Sequence, residues 1–154
     1  MLNVVLINPE IPPNTGNIGR LCCAVGAILH LVRPLGFNLD DRSLKRAGLD
    51  YWEKLDLVVW EDIEKYLASV SPDRIVLTSS KRGQIYHEIE YRADDHIVFG
   101  PETTGLSLEL FKSLPSRVAR IPIDLTKVRS LNLSTSVGIV VYEALKQLNA
   151  FPKS

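Results

Sequence analysis

The spacing of apolar positions changes along the chain, and each change marks an element. Leu2–Ile7 is a short apolar run bounded by the loop Asn8–Pro13, which reads as a buried parallel strand. Ile18, Leu21, Cys22 and Val25 then recur at helical spacing, predicting a helix over Asn14–Val25 with Asn14 as its cap and Gly26 as its stop. Asn14, Asn17 and Arg20 follow one another along a polar edge beside that stripe. Ile28–Val32 is a second strand, Asp40–Ala47 a short helix carrying Arg42, Lys45 and Arg46, and Leu57–Trp60 a third strand. Glu61–Ala68 is helical with an acidic first turn, Arg74–Thr78 is a fourth strand and Ile97–Phe99 a fifth. Ser107 caps a short helix reaching Lys112, and Val118–Ile121 is the sixth strand. The last helix is the longest pattern: Val137, Val140, Val141, Ala144, Leu145 and Leu148 form one apolar face behind an N-cap at Ser134.

Strands alternating with helices predict an α/β domain with a mostly parallel sheet, formed by residues 1–154 as one unit. In such sheets ligands bind beyond the carboxyl ends of the strands. Three of these exits, after Thr78, Gly100 and Ile121, are rich in Gly, Ser, Thr, Asn and Glu, and they are the candidate small-molecule site. At the mouth of the last helix, Arg129, Ser130 and Asn132 crowd polar groups where free amides and the helix dipole favour an electron-rich ligand.

Several chemistries are excluded. The first strand exits into NPEIPPNTGNIGR, without the G-x-G-x-x-G of a dinucleotide fold, and neither a P-loop nor a G-x-S-x-G elbow occurs. His30, His87 and His96 lack ligand spacing, so no metal is expected, and Asp94-Asp95-His96 reads as a solvated turn. Lys and Arg total 18, as do Asp and Glu, so any nucleic-acid contact must come from a local basic patch. Lys45, Arg46, Lys81, Arg82, Lys127 and Arg129 are its candidates, although each alone reads as a solvated surface charge. Adjacent Cys22 and Cys23 cannot staple distant segments and fit a reducing cytoplasm, where they act as small helix filler. The longest apolar stretch, Leu21–Val32, is too short to span a bilayer, so no membrane association is expected.

Three segments together carry a resemblance. Asn14-Thr15-Gly16-Asn17-Ile18-Gly19-Arg20, then Phe99-Gly100-Pro101-Glu102-Thr103-Thr104-Gly105-Leu106, then Ile121-Pro122 with Arg129-Ser130-Leu131-Asn132-Leu133-Ser134 resemble, in order, the motifs of the SPOUT class of S-adenosylmethionine-dependent RNA methyltransferases. Pro9–Pro13 and Arg46-Ala47-Gly48-Leu49-Asp50-Tyr51 resemble the single-domain TrmL-like (YibK-like) tRNA 2′-O-methyltransferases.

The resemblance implies a C-terminal trefoil knot, a homodimer in which Arg20 completes the partner's site, and a substrate that is the wobble nucleotide of leucine tRNAs in the anticodon stem-loop. It also implies in-line attack of a ribose 2′-OH on the sulfonium methyl. Arg20, always protonated, would orient the hydroxyl and stabilise developing negative charge. Asn14 would brace Arg20 or touch RNA, or serve only as a cap. Glu102 would fix Arg20, Asn132 or substrate, while Ser130 and Asn132 would bind cofactor or the target nucleoside. Thr78, Gly100, Ile121, Ser130 and Leu131 would contact the cofactor, with the first contact falling on Leu77, Thr78 or Ser79. Two further readings stand beside this one: a 2′-O-methyltransferase of ribosomal RNA or another tRNA position, and a non-catalytic RNA- or nucleotide-binding protein.

Overall fold

The computed structural model describes residues 1–154 apart from Ser43, Lys45, 47–50 and 115–116. Among the described residues, seven strands form one sheet: β1 (Asn3–Ile7), β2 (Ile28–Val32), β3 (Leu57–Trp60), β4 (Ile75–Ser79), β5 (Gln84–Ile85), β6 (His96–Phe99) and β7 (Arg117–Arg120). Their order is β3-β2-β1-β6-β4-β7-β5, and every pairing is parallel. Helices α1 (Pro12–Val25), α2 (Ile63–Ser69), α3 (Leu108–Ser113) and α4 (Leu133–Gln147) cover its two faces. The helix expected over 40–47 falls partly outside the described residues, as does the basic candidate Lys45.

The central strand shows why the sheet needs both layers. All five residues of β1 are buried. Val4 and Leu6 join a core with Ile18 and Cys22 of α1 and with Val137, Val140 and Val141 of α4. Val5 and Ile7 face the other way, onto Tyr66 of α2 and Leu110 of α3. Side chains alternate across a strand, so a strand covered on both faces must be apolar throughout. Cys22 is buried in this core, and burial followed by its neighbour Cys23 pushes its thiol up to about 12, consistent with inert filler.

Two elements begin elsewhere than the spacing suggests. α1 starts at Pro12, with Ile11 as N-cap, because the two prolines hold φ near its helical value and have no N–H to leave unpaired. Asn14 therefore lies inside the first turn and is not the cap. α4 is capped by Asn132, whose Oδ1 accepts from the backbone N–H groups of Ser134 (2.9 Å) and Thr135 (3.3 Å), so Ser134 is capped rather than capping. Ser107 caps α3 as expected, accepting from Leu110 N–H at 3.2 Å. Two-residue β5 has too little pattern to be visible in sequence.

The turn at 94–96 is not simply solvated. Asp94 has φ 65° and pairs with the N-terminal amine, whereas Asp95 is fully buried. Arg117 grips Asp95 with two bonds, Nη1 to Oδ2 at 2.7 Å and Nη2 to Oδ1 at 2.8 Å. The same guanidinium donates to the carbonyls of Glu90 and Asp73. The sequence hides this pair because its members lie on β7 and before β6, two strands joined only through β4.

His30 and His96, which lack ligand spacing in sequence, meet in the fold. Their rings lie 5.1 Å apart, centre to centre, beneath α2. Trp60 Nε1 donates to His30 Nδ1 at 3.1 Å, so the His30 proton sits on Nε2, facing Asn3 Oδ1 at 2.9 Å. Tyr66 and His96 share a hydrogen bond of 3.0 Å. Among the described residues no group of three or more His, Cys, Asp or Glu could hold a metal ion.

Burial, then the neighbouring His96, pushes His30 down to about 4, and burial lowers His96 against the opposing pull of Asp95 and Asp94. The unfolded chain takes up these protons near pH 6.5 and the folded chain does not. Their contribution is therefore neutral above about pH 6.5, and stability is lost as pH falls from there toward 4. Urea unfolding at pH 8, 6.5 and 5 should show this decline, and His30→Gln, which keeps a donor for Asn3 but cannot titrate, should flatten it.

Candidate active site

Strands β6, β4 and β7 are neighbours in the sheet, and parallel strands bring all their carboxyl ends to one edge. The loops 80–83, 100–107 and 121–132, remote in sequence, therefore emerge side by side. The exit of β1, residues 8–11, joins them from the other flank of β6.

The β1 and β6 exits are clasped by two carboxylates in reciprocal fashion. Glu102 accepts the backbone N–H of Glu10 at 3.0 Å and that of Ile11. Glu10 in turn accepts the Thr103 backbone N–H at 2.9 Å and the Thr103 hydroxyl at 2.7 Å. These bonds hold the Glu10 carboxyl below its ordinary range, the backbone bond contributing more. Glu102 thus sits at the start of α1, where Pro12 and Pro13 offer no donors of their own. Among the described residues no hydrogen bond or ion pair joins it to Arg20 or Asn132, two of the three partners expected for it, the third being substrate. The spacing of residues does not point to Glu10 and Thr103 as part of the site; the one available signal is a carboxylate two positions before a proline pair.

Within the β6 exit, Gly105 N–H donates to the Pro101 carbonyl at 2.8 Å, and the loop folds back onto Gly100. A Cβ on Gly100 would stand 2.3 Å from both the Gly105 carbonyl carbon and the Leu106 nitrogen, so only glycine permits the fold. In the β4 exit, the Thr78 hydroxyl donates to the Val98 carbonyl at 2.8 Å and is turned toward the sheet. Ser79 Oγ accepts from the backbone N–H groups of Lys81 and Arg82, 3.1 Å each. In the β7 exit, Ile121 and Leu131 are half-buried and Ser130 is exposed.

Asn132 ties the third loop to the first motif. Its Nδ2 donates to Asn14 Oδ1 at 3.0 Å while its Oδ1 caps α4, so the first turns of α1 and α4 are joined by one side chain. Asn14 is buried, but Asn17 and Arg20 are exposed, and the three do not form one continuous edge. Six residues advance a helix by about 600°, which leaves Arg20 about 120° round from Asn14 and about 9 Å further along. Tyr51, held by its hydroxyl to the Gly16 carbonyl, lies beside Arg20. Among the described residues no hydrogen bond or ion pair engages the Arg20 guanidinium. The structure thus joins Asn14 with Asn132 and anchors Glu102 beside α1, while Arg20 and Ser130 face outward. Lys81, Arg82, Lys127 and Arg129 are all exposed on the same loops.

Replacing Asn132 by Ala should cost about 1–2 kcal/mol from loss of the cap, with a further loss from the stranded Asn14 amide. Asn132→Ser should recover the cap and leave the second loss, read by urea unfolding of the two variants.

The chain matches the SpoU rRNA methylase family over residues 1–142. It is 46% identical over 149 residues to a tRNA (cytidine(34)-2′-O)-methyltransferase of Aeromonas hydrophila, covering 96% of this chain and 95% of that one. A solved structure concerned with 2-OH methylation of C/U34 on tRNA superposes with a TM-score of 0.87 at 42% identity, covering 97% of each chain. An AdoMet-bound rRNA methyltransferase of Sinorhizobium meliloti gives 0.83 at 26% identity, covering 96% of this chain and 56% of that one. A match of this extent, on a fold whose strand exits bring the motif loops together, is decisive: the chain belongs to the SpoU rRNA methylase family of methyltransferases.

Proposed function

We propose that this chain methylates the 2′-hydroxyl of the wobble nucleotide, position 34, of tRNA, with S-adenosylmethionine as donor and leucine tRNAs as substrates. The observation that carries the reading is the adjacency of the 80–83, 100–107 and 121–132 loops, in a chain far closer in sequence to the tRNA position-34 enzymes (46%) than to the rRNA enzyme (26%).

The residues fit the donor. Gly100 lets the loop backbone at Gly105 and Leu106 close over it, which gathers main-chain amides and carbonyls at this strand exit and suits the hydrogen-bonding edge of adenine. Half-buried Ile121, Leu131 and Leu106 offer apolar flanks, and Thr78, Gly100, Ile121, Ser130 and Leu131 would hold the molecule. When bound, S-adenosylmethionine supplies an electrophilic methyl group on a sulfonium. The chain's own task is to hold a poor nucleophile in line and to favour the negative charge that develops on it. Arg20 does this: its guanidinium is permanently charged, exposed and without a partner among the described residues. Asn14, Asn132, Ser130 and Glu102 complete the site, with Glu102 acting through the α1 start that it anchors.

The protein works as a homodimer, the Arg20 of one protomer serving the loops of its partner. Its exposed position supports that arrangement, and Tyr142 of α4 and Phe151 just after it (45% and 51% exposed, rings 6.1 Å apart) offer an apolar patch. The path from β7 supports the trefoil knot: after pairing with β4, the chain crosses the strand ends through 121–132 to pack α4 on α1 and β6. The cytoplasm, where tRNA is found, is its compartment; among the described residues no helix is long and apolar enough to cross a membrane.

The test uses labelled S-adenosylmethionine and bulk tRNA from a strain lacking this gene, with product mapping by mass spectrometry. Wild type should methylate the wobble ribose. Arg20→Ala should lose at least about 100-fold in rate while still binding the cofactor. No transfer to any tRNA by cofactor-bound wild type would refute the wobble assignment.

A further inference from the structure

Beyond the loops already described, the exit of β2 forms a groove. A cavity of about 500 Å³ is lined by Arg33, Pro34, Leu35, Phe37, Asn38 and Leu39. Its floor is fixed, because Leu35 and Leu39 pack against the core beneath α1 and α4. Its rim is polar, with Arg33 and Asn38 exposed and Phe37 half-buried between them. Among the described residues no hydrogen bond or ion pair engages the Arg33 guanidinium. An aromatic wall, an amide and an uncommitted cation around an apolar floor are the groups that recognise an unstacked nucleobase and its phosphate.

The groove is fastened to the methyl-transfer site. Gly36 N–H donates to the Pro9 carbonyl at 2.9 Å, and a Cβ on Gly36 would stand 2.8 Å from Glu10 Cα, so the two exits touch through backbone. Asn8 Nδ2 donates to the carbonyls of Val32 and Pro34, 3.2 Å each. Glu10 is itself clasped to Thr103 of the β6 exit. The groove is therefore rigidly registered against the loops that hold the donor. Only β1 separates β2 from β6, which puts their exits about 10 Å apart, the reach of neighbouring nucleotides on one strand.

We propose that the 33–39 groove is a nucleobase subsite that holds a base flanking the methylated nucleotide, with Phe37 as its stacking wall and Arg33 on the adjoining phosphate. The inference rests on the RNA methyltransferase reading and adds a substrate contact to it.

The test combines affinity and crosslinking on the full chain with tRNA carrying a photoreactive base on either side of position 34. Phe37→Ala should weaken tRNA binding roughly tenfold or more with S-adenosylmethionine binding unchanged, and Phe37→Trp should recover it. Arg33→Gln, a surface change that leaves the fold intact, should reduce the slope of log affinity against log salt by about 0.7. The crosslink should map to peptide 33–39. Unchanged affinity and salt slope in Phe37→Ala and Arg33→Gln, with crosslinks elsewhere and methylation intact, would overturn the subsite and leave the enzyme reading standing. A crosslink at 33–39 without methyl transfer by wild type would support the subsite and count against the reaction.

Discussion

A carboxylate placed at the start of a helix that opens with two prolines is the constraint on which the site depends. Pro12 and Pro13 set the direction of α1 but contribute no N–H, so Ile11 and Glu10 carry the donors that must be satisfied where the chain leaves β1. Glu102 satisfies them from a different strand exit, and Glu10 returns the favour to Thr103. Each carboxylate bonds backbone groups of the other's loop, so neither loop moves without breaking charge-assisted bonds on both sides. The position of α1, and with it Asn14 and Arg20, is thereby fixed relative to the loop that folds back at Gly100.

The all-parallel sheet supplies the other half of the arrangement. Its order sets β6, β4 and β7 side by side, so segments far apart in sequence share one edge. Rigidity beneath that edge comes from a two-sided apolar core and from the buried Asp95–Arg117 pair toward the opposite end of the sheet. Breaking such a pair by removing one partner costs roughly 3–5 kcal/mol, because a buried charge is left uncompensated. Asn132 closes the system from above, capping α4 and gripping α1 with the same amide.

Patterns of short range were legible in the sequence. The apolar runs of β1, β2 and β3, the Ser107 cap and the stripe of α4 are each set by residues within a few positions of one another, and the structure holds them where periodicity puts them. What the sequence concealed was set by partners far away. Glu102 bonds to residues more than 90 positions earlier, and Arg117 reaches back 22 positions to Asp95, so neither contact has a local signature. Asn14 looks like a cap because it has the right chemistry, but the prolines one and two positions upstream start the helix first. The histidines looked unrelated because proximity through the sheet, not spacing, joins them. The three motif loops were readable as candidates; that they are neighbours depends on strand order, which no local pattern encodes.

Hydrogen exchange of the backbone amides with and without S-adenosylmethionine tests the central claim, that three adjacent strand exits form one donor site. Slowed exchange in 79–83, 100–107 and 121–132 together, with β3 and α2 unaffected, is the expected result. Protection confined to one of the three loops, or appearing instead on α2 and the face of the sheet beneath it, would contradict it.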